Sequence, residues 1–209
     1  RWVRVGRFGM TAVPYYADDY VTLYHGDCEE VLAGIHGGVD MVFTSPPYNL
    51  GVTGGGFGHY SDNAGMRQRG GGGKWTGGAL AHGYDGHDDR MDPADYEAWQ
   101  HRVLLACWAQ LNDRGAIFYN HKPRVQDGTL WTPLSLNPGL PLRQIITWAR
   151  AGGTNFAPTH YLPTYEWIMV LAKPGWRLKS KGASGVGDGW NVPQESGTKH
   201  PCPFPLGVP

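Results

Sequence analysis

Short apolar segments, which predict strands, alternate along this chain of 209 residues with segments that predict helices. This pattern constrains the chain to an α/β fold. The segments Tyr20–His25 and Val39–Thr44 are rich in strand-forming residues. Between them, Asp27 is a typical N-cap for a predicted helix over Cys28–Ile35, and Gly37 then breaks the helix. A strand, a helix and a strand within about 25 residues predict a βαβ unit, in which the two strands are parallel.

The second half of the chain predicts one long helix and three further strands. Asp92 and Pro93 are typical of a helix start, and apolar residues at three- and four-residue steps continue the helix to about Gln110. Its predicted core stripe consists of Tyr96, Trp99, Val103, Cys107 and Leu111. The predicted strands are Ala116–Asn120, Arg143–Ala149 and Tyr165–Ala172, the last two as an antiparallel pair. The expected architecture is a mainly parallel sheet with an antiparallel hairpin.

A glycine-rich segment, residues 51–90, interrupts this pattern with 14 glycines in 40 residues. So many glycines and so few aliphatic side chains bury too little apolar area to offset the entropy of ordering the chain. We therefore expect a mobile loop, whose bases Arg67, Arg69 and Lys74 reach towards phosphate groups; an inert insertion is the alternative. Residues 1–19 lack a clear period and are expected to form an N-terminal tail.

Composition and charge exclude several classes of protein. The hydrophobic fraction of 41% argues against disorder, and no apolar run approaches the ~18 residues of a membrane span. Three widely spaced cysteines argue against a disulfide framework and a zinc ribbon, and no metal is expected. Residues 1–100 hold 13 acidic and 7 basic side chains, whereas residues 101–209 hold 5 acidic and 11 basic ones. The basic second half is a weak indication of a polyanionic partner.

The most informative motif is the sequence TSPPYN at residues 44–49, directly after the buried residues Val39–Phe43 of the predicted strand; we call it the clasp. Ligands of open α/β sheets bind beyond the carboxyl ends of the strands. Pro46 and Pro47 fix the backbone and offer carbonyl groups without N–H donors, Ser45 adds a hydroxyl, and Tyr48 adds a flat ring. The clasp therefore suits a planar ring that bears an amino group, although a proline-rich loop with a packed tyrosine is the alternative.

With these motifs the chain resembles the DNA amino-methyltransferases, in the β-type order of motifs. The matching segments are YHGDCEEVL at 24–32, VDMVFTSPPYN at 39–49, GAIFYNHKPR at 115–124, PLRQIITWAR at 141–150, YEWIMVLAKPG at 165–175 and KHPCPFP at 199–205. The resemblance implies a partial Rossmann-like, S-adenosylmethionine-dependent methyltransferase domain over residues 20–209. It also implies double-stranded DNA as partner, no membrane association, and a cytoplasmic location in a prokaryotic or phage-infected cell.

The resemblance also implies roles for individual residues. The expected catalytic residues are Ser45, Pro46, Pro47 and Tyr48. The expected cofactor-binding residues are Asp27, Cys28, Lys199, His200, Pro201 and Phe204. The expected DNA-binding residues are Asn49, Lys122, Arg124, Lys179 and Lys181, and residues 173–198 are the expected target-recognition segment. Plain structural roles stay open for several of them, above all an N-cap role for Asp27, a proline-rich connector for 199–205, and solvated surface charge for Lys122 and Arg124.

The resemblance leaves the target base and the cofactor site incompletely defined. The family's glycine-rich cofactor loop, DPFxGSGT, is not found after KHPCPFP, so a missing C-terminal part or a separate chain is expected to supply it. Serine before the P-P-Y triplet favours cytosine-N4 as the methylated atom; adenine-N6 and a non-catalytic DNA-binding module are the alternatives. A dinucleotide-dependent dehydrogenase is excluded, because no G-x-G-x-x-G follows the first strand.

Overall fold

The computed structural model describes residues 12–35, 37–49, 90–126, 128–150, 158–193, 195, 204–205 and 207. The predicted mobile loop, with Arg67, Arg69 and Lys74, therefore lies outside the described residues, apart from Arg90. The same holds for Lys199, His200 and Pro201.

Nine strands and three α-helices occur within the described ranges. The strands are β1 (Tyr16–Ala17), β2 (Thr22–Leu23), β3 (Val39–Thr44), β4 (Leu111–His121), β5 (Arg124–Gln126), β6 (Thr129–Trp131), β7 (Leu142–Ala149), β8 (Tyr165–Ala172) and β9 (Gly189–Asn191). The helices are α1 (Cys28–Gly34), α2 (Pro93–Gln110) and α3 (Lys181–Ser184), and a 3₁₀ turn spans Pro133–Leu136.

A five-stranded sheet in the order β3-β4-β8-β7-β9 forms the centre of the fold. Strands β3 and β4 are parallel, as are β7 and β9, whereas β8 runs antiparallel to both of its neighbours. The antiparallel pairing predicted for β7 and β8 is confirmed. The prediction of a mainly parallel sheet is not, because the hairpin places the reversed strand β8 directly beside β4, and the sheet is mixed.

The predicted βαβ unit at the start of the chain is wrong in its first strand. Strand β2 pairs antiparallel with β1 in a separate two-stranded sheet, not with β3. The intervening turn is local: the Asp18 carboxylate accepts hydrogen bonds from the backbone N–H groups of Tyr20 and Val21. The strand-forming side chains of this segment therefore remain largely exposed, Tyr20 and Leu23 among them.

Helix α2 begins as predicted and packs on the sheet, but its buried face differs from the predicted stripe. The Asp92 carboxylate caps the helix by accepting a hydrogen bond from the Ala94 N–H. Tyr96 and Cys107 are buried as predicted, and Leu111 is buried at the start of β4. Trp99 and Val103 are only partly buried, whereas Gln100 and Leu104 are fully buried. Gln100 is accommodated because its side-chain carbonyl accepts a hydrogen bond from the buried Tyr119 hydroxyl.

Two adjacent leucines of α2 provide a matched test of this packing. Leu104 is 0% exposed and Leu105 is 48% exposed. We expect Leu104→Ala to lower the free energy of unfolding by about 2–5 kcal/mol, because it leaves a cavity in the core. Leu105→Ala, with the same change in helix propensity, is expected to change it by roughly 0.5 kcal/mol or less. Urea unfolding measures both; equal losses would contradict the described orientation of α2.

Candidate active site

The clasp lies at one edge of the central sheet, together with the ends of three other strands. Because β4 is parallel to β3, with Thr44 opposite Tyr119, the residues that end β4 lie beside the clasp. Strand β8 runs in the opposite direction, so its first residues reach the same edge, and Glu166 pairs with Trp148 near the end of β7. Three segments that are distant in sequence therefore bring polar side chains to the clasp.

The Tyr48 hydroxyl is the centre of the resulting polar cluster. It donates a hydrogen bond to Glu166 Oε2 at 2.9 Å and lies 3.0 Å from Ser45 Oγ. Asn120 Nδ2 donates to the Tyr48 hydroxyl and also to Glu166 Oε2, the latter at 2.6 Å. Burial and, to a lesser extent, the charge of the Glu166 carboxylate raise the pKa of Tyr48 well above its ordinary value. This hydroxyl therefore keeps its proton.

Glu166 is a buried carboxylate that the sequence analysis did not single out. Its Oε1 pairs with Arg150 Nη1 at 3.0 Å, and both side chains are largely inaccessible to solvent. A buried carboxylate is tolerated when an opposite charge and several donors compensate for its lost hydration, and Glu166 has both. The signal was present in the sequence, since Glu166 is the only charged residue in the otherwise uncharged strand YEWIMVLA.

The backbone of the clasp is held by two further side chains. The Tyr96 hydroxyl of α2 donates to the Pro47 carbonyl oxygen at 2.7 Å. Arg124 Nη1 donates to the Tyr48 carbonyl oxygen at 2.6 Å, and its guanidinium group lies 4.5 Å from the centre of the Trp131 ring. These contacts fix the direction in which the remaining groups of the clasp point.

His121, the last residue of β4, supports the clasp as a neutral side chain. Its Nδ1 accepts a hydrogen bond from the Lys122 N–H at 2.8 Å, so Nε2 carries the proton and donates to the Tyr96 hydroxyl at 2.9 Å. Burial and, to a lesser extent, the charge of Arg124 lower the pKa of His121 to about 3. Its ring lies 4.3 Å from the Tyr48 ring, measured between centroids, and so covers part of that ring.

The predicted catalytic residues lie side by side in the clasp and present several hydrogen-bond acceptors. Ser45 is exposed at the mouth of the clasp, next to the Tyr48 hydroxyl. Within the described residues, no donor is bound to the Pro46 carbonyl, in contrast to the Pro47 carbonyl. Asn49 has a φ of 53°, a left-handed conformation that asparagine tolerates, and its Nδ2 donates to the Met91 carbonyl oxygen. This side chain therefore joins the clasp to the start of α2, and its predicted DNA contact stays a prediction.

The predicted DNA-binding cations lie in different surroundings. Lys122 is half-buried beside the cluster. Burial and, to a lesser extent, the charge of Arg150 lower its pKa to about 8. Lys179 is exposed, whereas Lys181 begins helix α3. The predicted target-recognition segment contains α3 and also β9, which extends the central sheet beside β7. Arg124 already holds the clasp, as described above.

The described residues of the predicted cofactor site, Asp27, Cys28 and Phe204, have ordinary structural surroundings. Asp27 caps α1 as its alternative role predicts, with Oδ1 accepting from the N–H groups of Glu29 and Glu30. Its Oδ2 has no hydrogen-bond partner among the described residues. Cys28 follows on the exposed first turn of α1. Phe204 packs edge-on against Phe43 and stacks with Trp148, which holds residues 204–205 near strand β3.

The neutral His121 predicts a specific acid sensitivity. Because its folded-state pKa is about 3 and the unfolded value is near 6.5, the unfolded chain binds more protons between these values. Stability from this group is complete above about pH 7 and is lost as the pH falls from about 6.5 towards 3. We expect His121→Gln to reduce the slope of unfolding free energy against pH by up to ~1.4 kcal/mol per pH unit in this range. Chemical denaturation between about pH 4 and pH 9 measures it; parallel curves below about pH 6 would contradict a neutral buried imidazole.

Metal and membrane signals are lacking in the described part of the chain. No group of three His, Cys, Asp or Glu side chains there is arranged to hold a metal ion. Among the helices of the described ranges, none has the length and apolar character needed to cross a membrane.

Of three comparisons with known proteins, the match to a family model agrees with the resemblance described above. Among curated proteins, none matches the chain significantly. A protein from Thermus thermophilus, described as a DNA modification methylase, is structurally similar with a TM-score of 0.43 and 20% identity. The match covers 81% of this chain and 66% of the Thermus protein, so the chain spans just under two thirds of that protein's length. A family model described as DNA methylase, of the N6 and N4 type, matches residues 39–208. The chain therefore belongs to the N6/N4 DNA methylase family.

Proposed function

We propose that this chain forms the base-binding part of a DNA methyltransferase that transfers a methyl group from S-adenosylmethionine to the exocyclic amine of a flipped base. The observation that carries the proposal is the pair of uncommitted acceptors at the clasp. Ser45 Oγ is exposed and the Pro46 carbonyl is free of donors within the described residues, while the neighbouring Tyr48 is fixed through its hydroxyl. An amino group has two N–H donors, and two adjacent acceptors match them.

The clasp accounts for the positioning of the amine. Hydrogen bonds to Ser45 Oγ and the Pro46 carbonyl orient the two N–H groups, and the nitrogen lone pair then points away from both acceptors. The same acceptors stabilise the positive charge that develops on nitrogen as the N–C bond forms and the bond from the methyl carbon to the sulfonium sulfur breaks. Because prolines and side-chain anchors fix the clasp before the base arrives, little reorganisation is needed at the moment of reaction.

Tyr48 supplies a surface for the flipped base. Extruding a base from duplex DNA costs a few kcal/mol, and stacking on an aromatic ring returns ~1–3 kcal/mol. The Tyr48 hydroxyl is held by hydrogen bonds in the polar cluster, whereas part of the residue remains exposed, and His121 supports the ring. A ring fixed in this way loses little entropy when a base stacks on it.

The described residues also fit a role in cofactor binding. The exposed Asp27 carboxylate keeps Oδ2 as an acceptor for a hydroxyl or ammonium group, and the aromatic side chain of Phe204 lies close to the strand that carries the clasp. When bound, S-adenosylmethionine supplies an electrophilic methyl group on its sulfonium sulfur. We propose that further groups, outside the described residues, complete this site.

The target base follows less directly from the clasp. Cytosine and adenine both present an exocyclic amine with the same donor geometry. Serine before the P-P-Y triplet favours cytosine-N4, and adenine-N6 is the second candidate. Lys122 and Lys179 are proposed to contact phosphate groups, Lys122 from beside the polar cluster and Lys179 from the exposed segment after β8.

A methyl-transfer assay with two tyrosine variants tests the proposal. The protein is incubated with labelled S-adenosylmethionine and duplex DNA, and the nucleosides are then analysed. We expect methylcytosine, and we expect Tyr48→Ala to lower the rate about 10- to 100-fold, because the stacking energy is lost. Tyr20→Ala is the matched control, since Tyr20 is 94% exposed and lies in the turn between β1 and β2, outside the central sheet.

Each outcome of this assay has a defined meaning. Methyladenine without methylcytosine would replace the proposed target while keeping the reaction. Normal turnover by a folded Tyr48→Ala variant would remove Tyr48 from the mechanism. DNA binding without methyl transfer by any form of the protein would favour the binding-module alternative and contradict the proposal.

A further inference from the structure

Three side chains around the Tyr48 hydroxyl, those of Ser45, Asn120 and Glu166, restrict the position of its proton. Glu166 is paired with Arg150 at Oε1, so its carboxylate is ionised and only accepts hydrogen bonds. The Tyr48 hydroxyl lies 2.9 Å from Oε2 and has a single proton, which must therefore point towards Glu166. The opposite arrangement would bring two acceptor oxygens together inside a buried cluster.

The orientation of Tyr48 in turn determines that of Ser45. The Tyr48 proton is committed to Glu166, so the 3.0 Å contact between the two hydroxyls requires Ser45 to be the donor. Asn120 Nδ2 supplies the second donor to the Tyr48 oxygen, which fills both of its lone pairs. The amide orientation of Asn120 is consistent, because its reverse would place Oδ1 against Glu166 Oε2.

We propose that Glu166 is a positioning residue that acts through Tyr48 to make Ser45 a pure acceptor towards the incoming amine. Ser45 uses its only proton on Tyr48, so its exposed side offers lone pairs alone, which is what the N–H donor that faces it requires. Without this constraint, the serine hydroxyl is free to turn its proton towards the amine and to repel it. The inference rests on the proposed function, and it assigns Tyr48 a second role besides stacking.

Two isosteric substitutions separate this role from stacking and from folding. Tyr48→Phe keeps the ring and removes only the hydroxyl, whereas Glu166→Gln keeps the volume and an acceptor for Arg150. An amide at position 166 no longer obliges Tyr48 to donate in that direction. Replacing Arg150 is a poor test, because it leaves the Glu166 charge buried without its partner. Glu97→Gln, at a partly exposed position of α2, is the matched control for the loss of a carboxylate.

The kinetic test is a double-mutant cycle with kcat and KM measured separately. We expect each single variant to lower kcat roughly 10- to 100-fold, less than the loss of an oriented polar contact to a transition state, because Ser45 itself remains. KM for DNA is expected to change less than about threefold, since the stacking ring is retained. The double variant is expected to equal Tyr48→Phe, because Glu166 has no effect once the hydroxyl is gone. Equal losses from Glu166→Gln in both backgrounds, or a wild-type kcat in either single variant, would overturn the inference.

A spectroscopic readout keeps the inference testable if the methyl-transfer proposal fails. The Raman doublet of tyrosine distinguishes a hydroxyl that donates from one that accepts, and subtracting the Tyr48→Phe spectrum isolates Tyr48 from the other tyrosines. We expect a strong donor in the wild type and a weaker donor in Glu166→Gln. An unchanged doublet would overturn the orientation of the hydroxyls, whereas an inactive wild type with the expected doublet would overturn only the proposed function.

Discussion

The buried carboxylate of Glu166 is the interaction on which the geometry of the site depends. It lies on β8 and pairs with Arg150, which directly follows β7, while its second oxygen accepts hydrogen bonds from Asn120 of β4 and Tyr48 of the clasp. One charged group therefore joins the ends of four segments at one edge of the sheet. An ionised group that is removed from water must keep its partners, and this requirement makes the edge rigid.

Local signals predicted the elements that carry the site. The caps of α1 and α2, the pairing of β7 with β8, and the position of the clasp directly after β3 are all confirmed, because each depends on neighbouring residues. Glu166 and Arg150 were missed because their proximity depends on the register between two strands. An acidic residue within an apolar strand is nevertheless a signal that a partner exists somewhere in the fold.

The incorrect predictions have the same physical origin. Part of the segment Tyr20–His25 does form a strand, β2. This strand pairs with β1 in a hairpin whose turn the Asp18 carboxylate stabilises, and not with a strand of the central sheet. In α2, the buried face was predicted from the apolar residues alone and was therefore placed wrongly. Gln100 is polar and yet buried, because it accepts a hydrogen bond from Tyr119. Whether a strand joins a sheet, or a polar residue enters a core, depends on a partner that the local sequence does not contain.

The long sequence separations within the polar cluster have a consequence for the order of folding. Tyr48 lies 72 residues before Asn120 and 118 residues before Glu166, whereas only the 15 residues 150–164 separate β7 from β8. Closing a longer loop costs more entropy than closing a shorter one, so we expect the hairpin of β7 and β8 to form before the cluster. During synthesis, Tyr48 leaves the ribosome long before its carboxylate partner exists. At that stage of synthesis the clasp is therefore exposed to solvent. We expect its hydroxyls to acquire a fixed direction only when β8 has been made and has paired with β4.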